Sequence, residues 1–199
     1  MNRPIRSVGA AFAIALAAGS LAACSSSGDS GGAGGGGEGG AKKIALLLPE
    51  TKATRYESFD RPLFEAAVKA ECADCEVIYS NADQDPKKQQ EQFEAAMTQG
   101  ADVIVLDAVD GKSAPTMVAD AKAENVPVIA YDRFVKGADY YVSFDNKAIG
   151  KAISDSLVQH LEALGVAKDK GGVLQINGSP TDAAAGLIRD GVHEGLGAS

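Results

Sequence analysis

The stretch VIAYDRF, residues 128–134, runs from apolar residues directly into an aspartate and an arginine. It continues the apolar run Val126–Ala130, and three similar runs precede it at Ile44–Leu48, Val77–Tyr79 and Val103–Leu106. Each run is short, partly β-branched and bounded by polar or turn residues, which is the pattern of a buried strand. The chain therefore predicts four buried strands, with an Asp-Arg pair at the exit of the fourth.

Helical segments separate these strands. The clearest is DPKKQQEQFEAAMTQG, residues 85–100, where Asp85 can cap the helix, Pro86 suits its first turn and Gly100 ends it. Phe93 lies on the face that we expect to enter the core. Alternation of strands and helices at this spacing predicts an α/β fold with a doubly wound parallel sheet. Two further helices are expected over Asp60–Glu71 and Lys112–Glu124.

The N-terminus has the features of a secretory signal. Arg3 and Arg6 precede an apolar run over Val8–Ala18, and then comes Leu-Ala-Ala before Cys24. The apolar run is too short to span a bilayer as a mature helix. Cys24 in this setting resembles the lipobox of bacterial lipoproteins, which implies a signal peptide over residues 1–23 and a lipid on Cys24. The alternative is an ordinary secreted protein whose first cysteine happens to fall there.

Residues 24–41 are expected to form a flexible tether. After Cys24 they read SSSGDSGGAGGGGEGGA, which by its Gly and Ser content spans a typical end-to-end distance of about 23 Å. The formal charge of the whole chain is −8, and loss of Arg3 and Arg6 with the signal lowers it to about −10. Such acidity argues against nucleic acid and against electrostatic adhesion to anionic lipid. The lipid and the tether, and not charge, would hold the body at the membrane.

In open parallel sheets ligands bind at the carboxyl ends of the strands, so the loops after the four runs are the expected site. None of these loops contains a phosphate-binding glycine pattern or a G-x-S-x-G nucleophile motif. Asp107 and Asp110 form a carboxylate pair, but no His, Cys or third acid completes a metal set. We therefore expect no enzyme activity, no metal and no cofactor.

The loop chemistry suits a ligand with many hydroxyl groups. A carboxylate can accept two hydroxyl protons and a guanidinium can donate two hydrogen bonds, so Asp132 and Arg133 can fix the orientation of a sugar ring. Tyr56, Tyr131 and Phe134 are available to cover the apolar faces of such a ring. The alternative for Asp132 and Arg133 is a solvated ion pair, which would contribute little.

Six motifs resemble one known family. In chain order they are KIALLLPE, TRYESFD, GADVIVLDAVDG, PVIAYDR, YYVSFDN and INGSPTDAAA, from Lys43 onward. They resemble the N-terminal half of periplasmic sugar-binding proteins of the ribose and xylose class, in particular the D-xylose-binding components of ABC importers, here with a lipoprotein signal of actinobacterial type. The resemblance implies a type I periplasmic binding protein fold with strand order 2-1-3-4-5 and a sugar held between two lobes. It further implies a monomer that delivers a monosaccharide to an ABC transporter permease.

Matched position by position, the resemblance implies five sugar contacts: Arg55, Tyr56, Asp132, Arg133 and Asp182. Arg55 could instead be a solvent-facing cation, and Tyr56 could be a packing residue at the start of a helix. The loop with Asp182 departs from the family pattern, because alanines follow the aspartate where the family has asparagine amides. That departure leaves the exact sugar and the contact set open.

The resemblance also implies a division into lobes. We expect a first, sugar-binding lobe over residues 42–144 and an incomplete second lobe over residues 145–199. Family members continue well beyond this point, so the chain is expected to be C-terminally truncated. The second lobe is expected to contain a helix, a strand and a helix, over Lys147–Leu164, Gly171–Asn177 and Thr181–Gly195.

Cys72 and Cys75 form a C-x-x-C motif after the first predicted helix. In an exported protein this spacing permits a local disulfide. A thioredoxin-like redox motif is the alternative, but here the motif follows a helix and does not begin one. A zinc site would need two more ligands, and both histidines fall in the expected second lobe.

Two other functions stay open from the sequence. A sugar sensor that reports to a chemoreceptor or a kinase would use the same site. The effector domain of a LacI-like regulator shares the fold and the sugar loops. Such a regulator needs a DNA-binding helical head, where this chain has a signal and a lipobox.

Overall fold

The computed structural model describes residues 41–166, 170 and 172–197. The expected signal peptide, the lipidated Cys24 and the tether up to residue 40 therefore lie outside the described residues. A π-helical turn over Tyr56–Asp60 leads into the first α-helix. The described residues form, in chain order, β1 (Lys43–Leu48), α1 (Arg61–Glu71), β2 (Glu76–Asn81), α2 (Pro86–Thr98), β3 (Val103–Leu106), α3 (Ala114–Ala123), β4 (Val128–Tyr131), β5 (Tyr140–Val142), α4 (Asn146–Ala163) and α5 (Ala183–Gly195).

The five strands form one parallel sheet in the order β2-β1-β3-β4-β5, so the expected strand order is confirmed. Leu46 of β1 pairs with Tyr79 of β2 on one side and with Val105 of β3 on the other. Val105 in turn pairs with Ile129 of β4. Parallel neighbours need a crossover connection, and α1, α2 and α3 supply those from β1 to β2, from β2 to β3 and from β3 to β4.

The ends of α2 follow from its sequence. Asp85 precedes the helix, and its Oδ1 accepts hydrogen bonds from the backbone N–H groups of Lys87 and Lys88 at 2.8 and 3.2 Å. Pro86 occupies the first turn, where its missing N–H costs no helical hydrogen bond. Phe93 is 1% exposed, which confirms its predicted place in the core.

The two faces of the sheet differ in their cover. On one face Leu47 and Leu106 are fully buried in a large apolar cluster that includes residues of α2 and α3. On the other face Leu46 and Leu48 pack with the ring of Tyr56 in a smaller cluster. A groove of about 430 Å³ lies on this second face, lined by residues of α1 and of four strands.

Helices α4 and α5 cross with their backbones in close approach. A Cβ atom added at Gly150 of α4 would collide with the carbonyl of Ile188, and one added at Gly191 of α5 would collide with the carbonyl of Lys147. Glycines at these positions therefore allow the two helices to pack without intervening side chains. The expected helices of the second lobe are present within one or two residues of their predicted ends.

The expected strand over Gly171–Asn177 is absent, so that prediction was wrong for the residues the structure describes there, 172–177. Leu174 and Ile176 are 86% and 88% exposed. A strand forms only when its backbone N–H and C=O groups pair with a neighbour. Across the described part of the chain, no other segment pairs with these residues.

We expect Gly191→Ala to lower the free energy of unfolding by about 1–3 kcal/mol or more, because the new methyl group forces α4 and α5 apart. Gly186 lies on the same helix with open space around its Cα, and Gly186→Ala should raise stability by about 0.5–1 kcal/mol. Urea unfolding of both variants measures the difference. Equal effects of the two substitutions would contradict the close crossing.

Candidate functional site

The carboxyl ends of the parallel strands lie at one edge of the sheet, and the predicted site residues follow them. Arg55 and Tyr56 come after β1, and Asp132 and Arg133 come after β4. The structure brings all of them into two neighbouring groups at this edge. The first, called here the Asp132 cluster, contains Arg55, Tyr56 and Asp132, and the second, the Arg133 cluster, contains Asp107, Arg133 and Asp182.

Asp132 is held by the turn that follows β4. Its backbone has a φ of 59°, in the left-handed region that non-glycine residues rarely occupy. Its N–H donates to the carbonyl of Val142 at 2.8 Å, and its own carbonyl accepts from the Ser143 hydroxyl at 2.6 Å. The contacts with the residues at and after the end of β5 therefore compensate the unusual conformation and place the side chain, whose residue is 7% exposed.

Arg55 is a partly exposed cation held by two carboxylates. Its Nη1 donates to Asp132 Oδ1 at 3.3 Å, and its Nε donates to Asp60 Oδ2 at 2.9 Å. The guanidinium also lies over the ring of Tyr56, 4.9 Å from the ring centroid. Burial opposes the charge of Arg55, but Asp132 and Asp60 outweigh it and raise the pKa of Arg55. Asp60 ends the TRYESFD motif, but the sequence analysis did not name it as a sugar contact.

Tyr56 is 4% exposed, and its hydroxyl donates to Asp132 Oδ2 at 3.2 Å. Burial, and then the charge of Asp107, raise the pKa of the hydroxyl, so it stays a hydrogen-bond donor. Its ring packs under the sheet with Leu46 and Leu48. Tyr56 thus supports the carboxylate of Asp132, and its direct contact with a sugar stays a prediction.

The other two aromatic residues differ in exposure. Tyr131 is half-buried, and its hydroxyl accepts a hydrogen bond from Arg55 Nη2 at 3.4 Å. Phe134 is 50% exposed and stands edge-on to Tyr141 with ring centroids 5.4 Å apart. Of the three aromatic residues predicted to cover the apolar faces of a sugar ring, Phe134 is the most exposed to solvent.

Arg133 lies between two carboxylates that come from distant parts of the chain. Its Nε is 3.4 Å from Asp107 Oδ1 and 3.3 Å from Asp182 Oδ2, and its Nη1 donates to the carbonyl of Ala108 at 3.0 Å. Asp182 also caps α5, since its Oδ1 accepts from the N–H groups of Ala184 and Ala185. The Arg133 side chain is only 13% exposed, so the solvated ion pair weighed from the sequence does not describe it.

Asp107, which the sequence offered only as half of a carboxylate pair, lies in the Arg133 cluster. Its side chain is fully buried, and within the described residues neither carboxylate oxygen accepts a hydrogen bond. Burial raises the pKa of Asp107 well above its usual value, against the opposing effect of Arg133. Asp110, its partner in the predicted pair, instead caps a turn by accepting from the N–H groups of Lys112 and Ser113. The sequence distinguished the two aspartates in one respect: Asp107 directly follows β3, where ligands are expected, whereas Asp110 lies three residues further along the loop.

The remaining predictions concern cysteines, metals and the membrane. Cys72 and Cys75 form a disulfide bond with their Cα atoms 5.3 Å apart. Over the described part of the chain, no three His, Cys, Asp or Glu side chains converge as a metal site. None of the helices in that part is both long and apolar enough to cross a bilayer. Cys24 lies outside the described residues, so its lipidation stays a prediction.

The family model of the periplasmic binding protein domain matches residues 44–199. The chain belongs to this family. Among curated relatives, the D-xylose-binding periplasmic protein of Haemophilus influenzae is 32% identical over 151 residues, which is 75% of this chain and 42% of that protein. The resemblance to sugar-binding proteins of the ribose and xylose class is thereby confirmed, and it implies an extracytoplasmic location.

Solved structures agree with the family. An ABC transporter solute-binding protein from Clostridium phytofermentans with bound β-D-glucose aligns with a TM-score of 0.70 and 27% identity, over 79% of this chain and 48% of that one. A Caulobacter myo-inositol binding protein bound to myo-inositol aligns with a TM-score of 0.67 and 26% identity, over 78% of this chain and 51% of that one. The relatives are binding proteins, in agreement with the expectation of no enzyme. The chain spans about half the length of the curated relatives it matches.

The raised pKa of Asp107 predicts a pH-dependent stability. The folded state binds this proton more tightly than the unfolded state, so the contribution of Asp107 to the free energy of unfolding falls as pH rises from about 4 toward the raised pKa. Asp107→Asn removes this contribution, and the variant should become more stable relative to the unsubstituted protein as pH rises. Urea unfolding at several pH values measures the difference. A difference that does not change with pH would contradict the burial of an ionisable, unpaired carboxyl.

Proposed function

We propose that this protein is an extracytoplasmic receptor that captures a monosaccharide, D-xylose or a related sugar, for an ABC importer. The observation that carries the proposal is the arrangement of the Asp132 and Arg133 clusters at the carboxyl edge of the sheet. Each cluster combines a guanidinium, which only donates hydrogen bonds, with carboxylates, which accept them. A sugar hydroxyl does both, so it can bind to either partner of such a pair.

The charges at this edge favour a neutral ligand over an anionic one. Arg55 is already paired with Asp60 and Asp132, and Arg133 with Asp107 and Asp182. Four carboxylates therefore face two guanidiniums. A phosphate or carboxylate group on the ligand would meet an excess of negative charge, whereas a neutral polyol would not.

The relatives support the same ligand class without fixing one sugar. One is named for D-xylose, and the solved structures contain β-D-glucose and myo-inositol. All three are neutral molecules rich in hydroxyl groups. We place D-xylose first because the relative named for it is the most similar in sequence of these three, and we expect glucose and inositol to bind more weakly.

The proposal includes membrane attachment through a lipid on Cys24, followed by the Gly- and Ser-rich tether. Its support is the order of a charged start, a short apolar run and Leu-Ala-Ala before the cysteine. A tethered receptor stays close to a membrane transporter while its binding lobes are free to move. A permease of the ABC type is the partner that this arrangement suits.

Removal of the Arg133 guanidinium should weaken sugar binding. Arg133→Ala leaves ligand hydroxyls without their donor and the buried carboxylate of Asp107 without its paired cation, at a cost of about 2–4 kcal/mol or about 30- to 1000-fold in affinity. Calorimetry with D-xylose, D-glucose and myo-inositol on the full-length product of the reading frame measures this change. Arg189→Ala is the matched control, because Arg189 is half exposed and pairs only with its neighbour Asp190 among the described contacts. Unchanged affinity in Arg133→Ala would place the sugar elsewhere.

The lipid anchor is tested by Cys24→Ser expressed in a bacterial host. We expect the unsubstituted protein in the membrane fraction and the variant in the soluble extracytoplasmic fraction, because one thioether-linked lipid group is lost and the tether remains. Ser26→Ala in the same segment is the control and should stay with the membrane. Unlipidated, soluble protein in the absence of any substitution would rule the anchor out.

A further inference from the structure

The turn that follows β3 is fixed by a buried amide. Gln89 of α2 is 1% exposed, its Nε2 donates to the carbonyl of Asp107 at 2.8 Å, and its Oε1 accepts from the N–H of Val109 at 2.8 Å. These two hydrogen bonds satisfy backbone groups on both sides of Ala108. The positions of the Asp107 carboxylate and the Ala108 carbonyl are therefore set by the protein core.

Those two groups in turn fix the plane of the Arg133 guanidinium. The Asp107 carboxylate faces Nε at 3.4 Å, and the Ala108 carbonyl accepts from Nη1 at 3.0 Å. The guanidinium therefore donates one hydrogen bond to a fixed carbonyl, while the fixed Asp107 carboxylate attracts its Nε by charge without a hydrogen bond, and together these contacts restrict its orientation. Asp182 Oδ2 lies 3.3 Å from the same Nε, so Asp107 competes for this nitrogen with a second carboxylate, the one that caps α5.

Asp107 is costly to the fold. A fully buried carboxylate with no hydrogen bond from the described residues is destabilising unless a cation nearby compensates it. Each such unsatisfied group in a folded protein calls for an explanation, and function is one of the few. Arg133 is the cation within reach, and it is also the residue to which the proposed function assigns ligand contact.

We propose that Asp107 is a positioning residue of the sugar site, whose carboxylate, with the Ala108 carbonyl, holds the Arg133 guanidinium in the orientation that binds a sugar hydroxyl. This inference rests on the proposed function. Without the charge of Asp107, Asp182 would be the remaining carboxylate at Nε and would draw the guanidinium toward α5. The ligand would then meet a misdirected donor.

The charged state of Asp107 makes this role dependent on pH. As pH falls through the raised pKa of Asp107, the carboxyl becomes neutral and its attraction for Arg133 is lost. Sugar affinity should therefore rise with pH through this range, opposite to the trend in stability. The charged and titratable groups that face Asp107 are Arg133 and Asp132 after β4, Arg55 and Tyr56 after β1, and Asp182 at the start of α5.

The experiment measures D-xylose affinity by calorimetry, with D-glucose and myo-inositol beside it, between about pH 5 and 8 in the full-length product. Asp107→Asn keeps the shape of the side chain and removes its charge. We expect it to weaken binding by about 10- to 100-fold at the upper end of this range and to flatten the pH profile. Asp110→Asn, three residues along the same loop, is the matched control and should bind as the unsubstituted protein does.

A second variant tests the same inference independently, in case Asp107→Asn fails to fold. Arg133→Lys keeps the positive charge but has no planar fork with which to contact the Asp107 carboxylate and the Ala108 carbonyl together. It too should lose affinity, and affinity equal to that of the unsubstituted protein would show that orientation does not matter and overturn the inference. Equal affinity and an equal pH profile in Asp107→Asn would also overturn it while leaving the proposed function intact. No binding of any of the three sugars by the unsubstituted protein would overturn the proposed function and the inference with it.

Discussion

Two buried carboxylates at the ends of adjacent strands set the constraint on which this site depends. Asp107 follows β3 and Asp132 follows β4, with residue exposures of 0% and 7%. Negative charge at such positions is costly unless cations and hydrogen-bond donors compensate it. Arg55 and the Tyr56 hydroxyl after β1, and Arg133 after β4, supply that compensation from two different chain segments. The loops around the sheet edge must therefore adopt conformations that keep these donors within reach.

The same constraint links the sheet to the region around α5. Arg133 contacts Asp107 on the sheet side and Asp182 at the N-terminus of α5, and the N–H of Gly111 donates to the carbonyl of Thr181 at 3.1 Å. The capping carboxylate of α5 thus serves a helix and a guanidinium at once. Arg133 is thus a side chain that contacts both regions.

The sequence predicted the fold better than the details of the site. Strands and helices were recognisable because caps, prolines and apolar runs are local signals, as the Asp85 cap of α2 shows. The strand expected over Gly171–Asn177 does not form in the described residues 172–177, because pairing depends on a distant neighbour and not on local composition. The different places of Asp107, buried beside Arg133, and of Asp110, which caps a turn, were equally hidden, since both residues stand in one polar loop of the sequence. Tyr56 was expected to cover the face of a sugar ring, but it is buried and donates a hydrogen bond to Asp132. This difference has the same origin, because burial is a property of the whole fold.

Asp107 also illustrates how a stable fold and a prepared binding site make opposite demands. For folding alone, an amide or an apolar side chain at this position would avoid the desolvation of a carboxylate that accepts no hydrogen bond from the described residues. For binding, a neutral side chain there would leave the orientation of Arg133 to the competing carboxylate of Asp182. Gln89 reinforces this reading, because a buried amide that holds the backbone on both sides of Ala108 keeps the unfavourable carboxylate from turning away. Rigid support beneath a destabilising charge is what a preorganised site requires, since a donor that is already oriented need not be ordered when the ligand arrives.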